Sequence, residues 1–587
     1  MSEKRNSYLV SKALKTFMLA SVLASLAQRL ATMTDAIVVS NLIGPDAISA
    51  INVVTPIITL FPTISILFGI GGSIMAAKAI GRRDADEANR IFTTSLSAAF
   101  VCSAVLSIAL FLLTPDIVAL VCPRNSRFFD MAVSFMHIMS LSAVPTVLGF
   151  TLQSFVKTDG NPRLVMLAVM SSTALNLVLD IVFIKFFGMG IAGSAWGTII
   201  CFLFSTSVCL IHFWSSHSSF RLHFEWRHMV SDVTRCIAEG FPPSLSTLMM
   251  GVCVFGFNSI VMHTLGADGM YVWSVCLQLL MLIQLMLSGV SSSIYSIGGL
   301  LIGECDMIGL KILIRRVLAY AGIALLALLL VVETCPQVFG NMFGGGNSGV
   351  ADLLHSTLRI FSLVLLPFSL IAILNALYQL LGYRISSMII SIGQLVAMVF
   401  FVWLFSLVSP SLLWWGYPAS SIILAAVVLI VTWVMHVRCP ELAPVTLIPQ
   451  SAEGKSLNFS IRLTEADVTS ALNCINTFLK ECDIPHPVAY SVRLCCEELL
   501  YNIVHYAVKK HPDQHFIDIH IRYTDSLVTL LLKDDGRPFN PTLGTSDSME
   551  HLGLRLVNGI CQDVTYKYMY DQNMVFIKFP LVARTLQ

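Results

Sequence analysis

Long apolar runs, interrupted by short polar stretches, fill the chain as far as about residue 437. A membrane-spanning helix needs about 20 such residues. Spans of that kind are predicted at about 13–38, 47–78, 91–114, 130–156, 163–186, 192–214, 237–263, 271–300, 313–334, 352–380, 385–408 and 413–437, twelve in all. The pattern then changes. Leu457–Leu463 alternates as a strand, Thr464-Glu465-Ala466-Asp467 caps a helix running to about Glu481, and Pro485–Val508 reads as a second helix. Strands are predicted at Phe516–Tyr523 and Leu527–Lys533, a third helix at Leu552–Ile560, and a last hairpin of Val564–Tyr570 and Met574–Phe579 turning at Asp571-Gln572-Asn573. This is an α+β domain with helices on one face of a mostly antiparallel sheet.

Composition sharpens the division. Apolar residues make up 56% of the 587 and charged residues 12%, too few charges to cover a soluble protein of this length. Of the 71 Lys, Arg, Asp and Glu, 41 precede Pro440 and 30 follow Cys439, so the tail is charged like a soluble domain. Pro440, Pro444 and Pro449 and the polar stretch Ser451–Ser456 form a linker signature. The predicted organisation is a membrane part over 1–440, with lobes of about 1–220 and 221–440, a linker over 441–455 and a soluble domain over 456–587. A net charge of +1 offers no basic field for nucleic acid, so the expected surroundings are membrane lipids. The fifteen Cys lack metal spacing.

Lys and Arg cluster before span 1 and in alternate loops, among them Lys78, Arg82, Arg83 and Arg90, then Lys157 and Arg163, then Lys311, Arg315 and Arg316. By the positive-inside rule both termini and the soluble domain face the cytoplasm. The first run is too long for a signal peptide. A bacterial plasma-membrane location is expected.

Three landmarks recur at a constant offset of 222 residues: Gly44 with Gly266, Gly81 with Gly303, and Gly160 with Gly382. Two parallel six-span repeats follow, a transporter pattern with the substrate site between halves. Thr34-Asp35-Ala36-Ile37-Val38-Val39-Ser40-Asn41-Leu42-Ile43-Gly44, Gly69-Ile70-Gly71-Gly72-Ser73, Gly81-Arg82-Arg83-Asp84, Gln153, Gly160-Asn161-Pro162, Asn176, Asp180 and Gly193-Ser194-Ala195-Trp196-Gly197 carry a resemblance to the multidrug and toxic compound extrusion (MATE) family. The resemblance covers about 430 residues and is looser in the second half. It implies two six-helix lobes around a cleft and a proton- or sodium-coupled antiporter exporting small organic, cationic substrates.

The residues point the same way on their own. An Asp inside a span costs about 2.5–3.5 kcal/mol on the insertion scale and persists only where it faces protein or a cavity. Asp35 lies about 30 Å along span 1 and Asp180 about 27 Å along span 5, at 1.5 Å per residue. Asn176 and Asp180 share a helix face as i and i+4. Two carboxylates and an amide converging in low dielectric suit a proton or a sodium ion. Arg29, six residues before Asp35, is a candidate for tuning that coupling. The repeat partners of Asp35 and Asp180 are Phe257 and Val402, so ion coupling is expected in the first lobe alone.

In the tail, Glu498 and Asn502 share a helix face, Asp534-Asp535-Gly536 follows a strand, and Leu552-Gly553-Leu554 opens a helix. Together these resemble the GHKL (Bergerat) ATP-binding fold, and within it the RsbW-like anti-sigma-factor serine kinases. By that resemblance Glu498 is the general base, Asn502 a magnesium ligand, Asp534 the adenine contact, and Gly536 and Gly553 positions of close backbone approach. His551 stands where the family's lid usually has glycine, which makes turnover less secure than ATP binding.

The leading expectation is an ion-coupled exporter with an ATP-binding regulatory domain. The alternatives are a membrane-tethered serine kinase acting on a STAS-type anti-anti-sigma partner, and a lipid-linked sugar flippase, which the Asp35–Asn176–Asp180 set disfavours. Direct ATP-driven transport is not expected, because no G-x-x-x-x-G-K-[ST] motif is present.

Overall fold

A computed structural model describes residues 5–121, 124–126, 129–215, 218–337, 350–450, 454–507, 515–541, 557, 559 and 563–581. Among them, eleven helices are long and apolar enough to cross a membrane. The bent pair Phe129–Leu141 and Ala143–Thr158, at 49°, makes a twelfth. The fold is therefore a polytopic helical membrane protein in two six-helix lobes with a C-terminal α+β domain. The helices that build the first lobe's site are α1 (Tyr8–Leu42), α2 (Ala143–Thr158), α3 (Pro162–Ile181) and α4 (Ile191–Trp214). Asn161 caps α3 by accepting from Leu164 N, and Pro162 follows at the first helical position, where its missing N–H costs nothing. Helix α5 (Trp226–Ser293) carries spans 7 and 8 with one break, at Gly266.

The 222-residue repeat is written in the backbone. Gly44 and Gly266 are left-handed (φ 123° and 63°), as are Gly160 and Gly382 (87° and 90°). Arg83 and Cys305 share φ 59°, each ending a helix in the αL position usually given to glycine. Just after them Asp84 and Asp306 accept from the backbone N–H of Glu87 and Gly309, at 2.9 and 2.8 Å, as matching helix caps.

The chain separates into two units. One comprises Phe17–Leu300 and Arg315–Ile448; the other joins Met1–Thr16 and Leu301–Ile314 to Pro449–Gln587. Two short segments distant in sequence thus belong with the tail.

The tail's sheet has the order β1-β2-β3-β5-β4, antiparallel throughout, from β1 (Lys455–Arg462), β2 (Phe516–Thr524), β3 (Leu527–Asp534), β4 (Val564–Met569) and β5 (Gln572–Pro580). Helices α6 (Glu465–Glu481) and α7 (His486–Asn502) pack on one face, burying Ile517, Ile519, Ile521, Leu530, Leu532 and Ile577 with Val468, Ile475 and Val492. The Thr464 hydroxyl caps α6 by accepting from Asp467 N at 3.3 Å. Helix α7 ends at Asn502, short of the expected Val508, and one π-helical turn, Ile503–Ala507, follows. The last hairpin turns at Tyr570-Asp571, both left-handed (φ 55° and 61°), in the two-residue connection that matches strand twist. This corrects the expected turn: Gln572 and Asn573 are strand residues. The predicted helix Leu552–Ile560, with His551 and Gly553, lies outside the described residues apart from Val557 and Gly559.

Candidate functional site

In the first lobe a cavity of about 180 Å³ is lined by Gln28, Asp35, Gln153 and Asn176, among others. Gln28, Ala31, Thr32 and Asp35 present one stripe of α1 to it, at helical spacing. Asp180 is fully buried, and neither of its carboxylate oxygens meets a hydrogen-bond donor among the described residues. Its carboxyl lies against that of Asp35. Helix α4 supplies the rest of the site. Ser194 Oγ donates to Asp35 Oδ1 at 3.0 Å, and a Cβ on Gly197 would stand 2.7 Å from Asp180 Oδ1. Gly197 is therefore the close approach that lets the carboxylate sit there. Asp35, Asn176 and Asp180 come together as expected. Arg29 does not join them: it is exposed and absent from the lining of this cavity. Ser194 and Gly197 went unassigned in the sequence. Their signal was the small-residue spacing within Gly193-Ser194-Ala195-Trp196-Gly197.

In the tail a cavity of about 210 Å³ opens between α7 and the ends of β3 and β5, lined by Leu499, Asn502, Asp534, Phe539, Asn573 and Val575, among others. Asp534 is buried at its base, and its Oδ1 accepts from Gly536 N and Asn573 Nδ2, both at 2.8 Å. Burial pushes the Asp534 carboxyl up to about 6, against the opposing pull of Asn573 and the Gly536 N–H. Asn573 sits opposite Asp534 in the β3–β5 register. Its amide also donates to Arg537 O at 3.0 Å, while its oxygen accepts from Tyr566 Oη at 2.7 Å and Phe539 N at 3.2 Å. Every donor and acceptor of that carboxamide is thereby used. Sequence reasoning missed Asn573 because it was placed in a turn. Asn502 commits its amide nitrogen to Glu498 O at 2.8 Å, and its oxygen is the atom a hard cation takes. Glu498 is half-buried one turn before it. A buried acceptor beneath an apolar wall, with an amide oxygen at the rim, fits the base and metal ends of a nucleotide.

The opposite face of this sheet is polar yet buried. Asp518, His520 and Arg522 alternate with the isoleucines of β2. Arg5 pairs with both Asp306 and Asp518, at 3.2 Å for the latter. Lys533 Nζ lies 2.6 Å from Glu304 Oε2, and Gln572 Nε2 donates to Leu9 O at 2.7 Å. Asp535, the neighbour of Asp534, is held by Lys12 Nζ at 2.6 Å, Tyr8 Oη at 3.0 Å and His515 Nδ1 at 3.0 Å. Burial alone would raise the Asp306 carboxyl, but Arg5, His520 and Lys533 outweigh it and hold it at about 2. Burial pushes His520 down to about 4.

Residues 20–182 match the MatE family model and residues 461–579 match the histidine kinase-like ATPase domain. The first stretch is similar to a MatE domain and the second to a histidine kinase-like ATPase domain. Among known proteins it is similar to the multidrug export protein MepA of Staphylococcus haemolyticus, 23% identical over 291 residues, which cover 49% of this chain and 63% of the relative. MepA of Staphylococcus aureus is 22% identical over 258 residues, 43% of this chain and 56% of the relative. The matched region therefore spans less than two thirds of either curated relative. The fold is that of a solved outward-facing multidrug resistance MATE family transporter of the MOP superfamily, with TM-score 0.65 and 22% identity over 72% of this chain and 97% of that one. A MOP superfamily transporter from Pyrococcus furiosus aligns with TM-score 0.64, 22% identity and the same coverage. The ATPase-like domain accounts for the part of the chain beyond those transporters.

Proposed function

We propose that the membrane unit is an ion-coupled exporter of small organic compounds in a bacterial plasma membrane, and that the tail is its cytoplasmic, magnesium-ATP-binding regulatory domain. The observation that carries the first half is the Asp35–Asp180 contact. Two carboxylates side by side in a water-poor cavity repel unless a cation lies between them, so the pair has a built-in affinity for a proton or a sodium ion. Asn176 adds a neutral oxygen on the same helix face, and Ser194 holds Asp35 in place. Arg29 acts from outside the cavity, through the field at the start of the site. An exporter needs such a site to exchange its substrate against an ion gradient. Transport in proteoliposomes under imposed proton and sodium gradients tests this: Asp35→Asn and Asp180→Asn each abolish coupled export while the protein stays folded. Full coupled export by both variants defeats the reading.

The tail reading rests on Asp534 at the base of its cavity. Asp534 accepts from the adenine amino group, Gly536 and Gly553 allow close backbone approach, Asn502 holds magnesium, and Glu498 stands where a base would take the proton of an acceptor hydroxyl. Bound nucleotide supplies a phosphoryl group, and a kinase acting on a serine of a STAS-type partner is the second reading, carried by the placement of Glu498 one turn from Asn502. Calorimetry with ATP and GTP on the full chain, with a phosphotransfer assay, separates the two. Asp534→Ala loses adenine preference, whereas Glu498→Ala keeps binding and loses any transfer.

A further inference from the structure

A second membrane cavity, of about 320 Å³, is lined by spans 1, 2, 4 and 5 of the first lobe and by span 8 of the second. It shares Gln28, Phe150, Gln153 and Val169 with the Asp35 cavity, so the two adjoin. Its lining mixes seven serines with apolar side chains, and among its lining residues Lys157 is the single charged side chain. Lys157 has no ion-pair partner among the described residues. Asp159, the acid nearest in sequence, and Glu239 and Asp35 already have partners. Asp159 is taken by His212 Nε2 at 2.8 Å, and Glu239 by Arg384 Nη2 at 2.7 Å. Asp35 is engaged by Ser194 and Asp180. A lysine kept only to set topology belongs at the lipid headgroups, where its charge is solvated. This one lines a cavity between lobes, where an unpaired ammonium is costly and calls for an opposite charge.

We propose that the cavity between the lobes is a substrate site for organic molecules bearing a carboxylate or phosphate, with Lys157 as the residue that selects for the negative group. The inference rests on the export reading and replaces the expectation of a cationic substrate. The acidic pair then serves the coupling cation and the lysine serves the cargo, in adjoining chambers. A net cation in the larger cavity would meet like charge, which is how a site rejects a competitor.

The test uses the purified full chain in detergent, with fluorescein as the anionic probe and ethidium as the cationic one, read by anisotropy. The wild type is expected to bind fluorescein at least tenfold more tightly than ethidium. Lys157→Gln loses at least tenfold in fluorescein affinity with ethidium binding unchanged, and Lys157→Arg retains it. Lys157→Met gives the same readout should the glutamine variant fail to fold. Equal fluorescein affinity in the wild type and the neutral variants, or a wild type that prefers ethidium, overturns the proposal. Competition by stoichiometric phosphatidylglycerol assigns the anion to a lipid headgroup; its absence assigns it to a soluble compound. Lysine-dependent binding with no dye efflux from proteoliposomes sinks the export reading and leaves the anion site standing.

Discussion

Lys12 Nζ donates to Asp535 Oδ2 at 2.6 Å, placing a residue of α1 on the carboxylate adjacent to the buried Asp534. Tyr8 and His515 hold the same carboxylate. Lys12→Ala removes one of three donors and leaves Asp535 buried with a weaker set. A loss of about 1–2 kcal/mol in tail-unit stability is expected, since a charged hydrogen bond is worth about that much. Thermal denaturation of Lys12→Ala, Asp535→Asn and the double variant provides the check: non-additivity of about 1 kcal/mol is expected for a direct pair, and strict additivity would remove the contact.

Asn573 saturates its four hydrogen-bonding positions on Asp534, Arg537, Tyr566 and Phe539. Asn573→Ala is expected to cost about 2–3 kcal/mol by leaving buried groups unpaired, and to weaken nucleotide binding with it. The pH dependence of binding follows from Asp534. Its folded pKa of about 6 lies above the ordinary carboxylate value, so the acceptor form is present above pH 6 and is lost below it. ATP affinity should be flat from pH 8 to 7 and fall as pH drops through 6 towards 5. Calorimetry across that range, with Asp534→Asn as the control that lacks the slope, checks it.

His520 is buried with neither ring nitrogen hydrogen-bonded among the described residues, and its pKa is lowered to about 4. The unfolded chain protonates near 6.5, so between 6.5 and 4 the unfolded state binds the extra proton. Stability is then lost as pH falls through that window, by about 3 kcal/mol in total. Asp306, held at about 2, contributes in the same sense at lower pH: its stabilisation is present above the ordinary carboxylate range and is lost as pH falls towards 2. His520→Leu should remove this loss, seen as a smaller fall in melting temperature between pH 7 and 5 than in the wild type.

Gly197→Ala brings a methyl to 2.7 Å from Asp180 Oδ1, closer than side chains tolerate, so the carboxylate must turn away. Coupled export should fall to the level of Asp180→Asn with the fold intact. Export at the wild-type rate, with circular dichroism unchanged, would show that Asp180 does not need its present position.

Much of this was legible in the chain because local physics decides it. Span lengths follow from bilayer thickness, and two of the three glycine pairs at the 222-residue offset, Gly44 with Gly266 and Gly160 with Gly382, mark positive-φ backbone that glycine enters most easily. Asn176 and Asp180 were legible as one helix face. The rest depended on contacts between distant segments. Asp518 and His520 alternate with isoleucines, an alternation that by itself belongs to a solvated sheet face, yet they are buried with Arg5 and Asp306 against that face. Asn573 looked like a turn residue because Asp571-Gln572-Asn573 has turn composition; the register with Asp534 is a tertiary fact. Arg29, six residues from Asp35, is off the helix face of that residue, as its spacing indicates, and it is exposed outside the cavity lining.

Helix α1 runs unbroken from Tyr8 to Leu42 and carries both Lys12 and Asp35. The first grips Asp535 and the second lies against Asp180. Asp35 follows Lys12 by 23 residues along the same helix, about 35 Å at 1.5 Å per residue. Around Asp35 itself, an axial turn of about 20° would sweep a side chain about 6 Å from the axis through about 2 Å. That is enough to open the 3.0 Å bond from Ser194. The span is a spindle for its own acid: a small rotation would suffice to turn Asp35 away from Ser194 and Asp180.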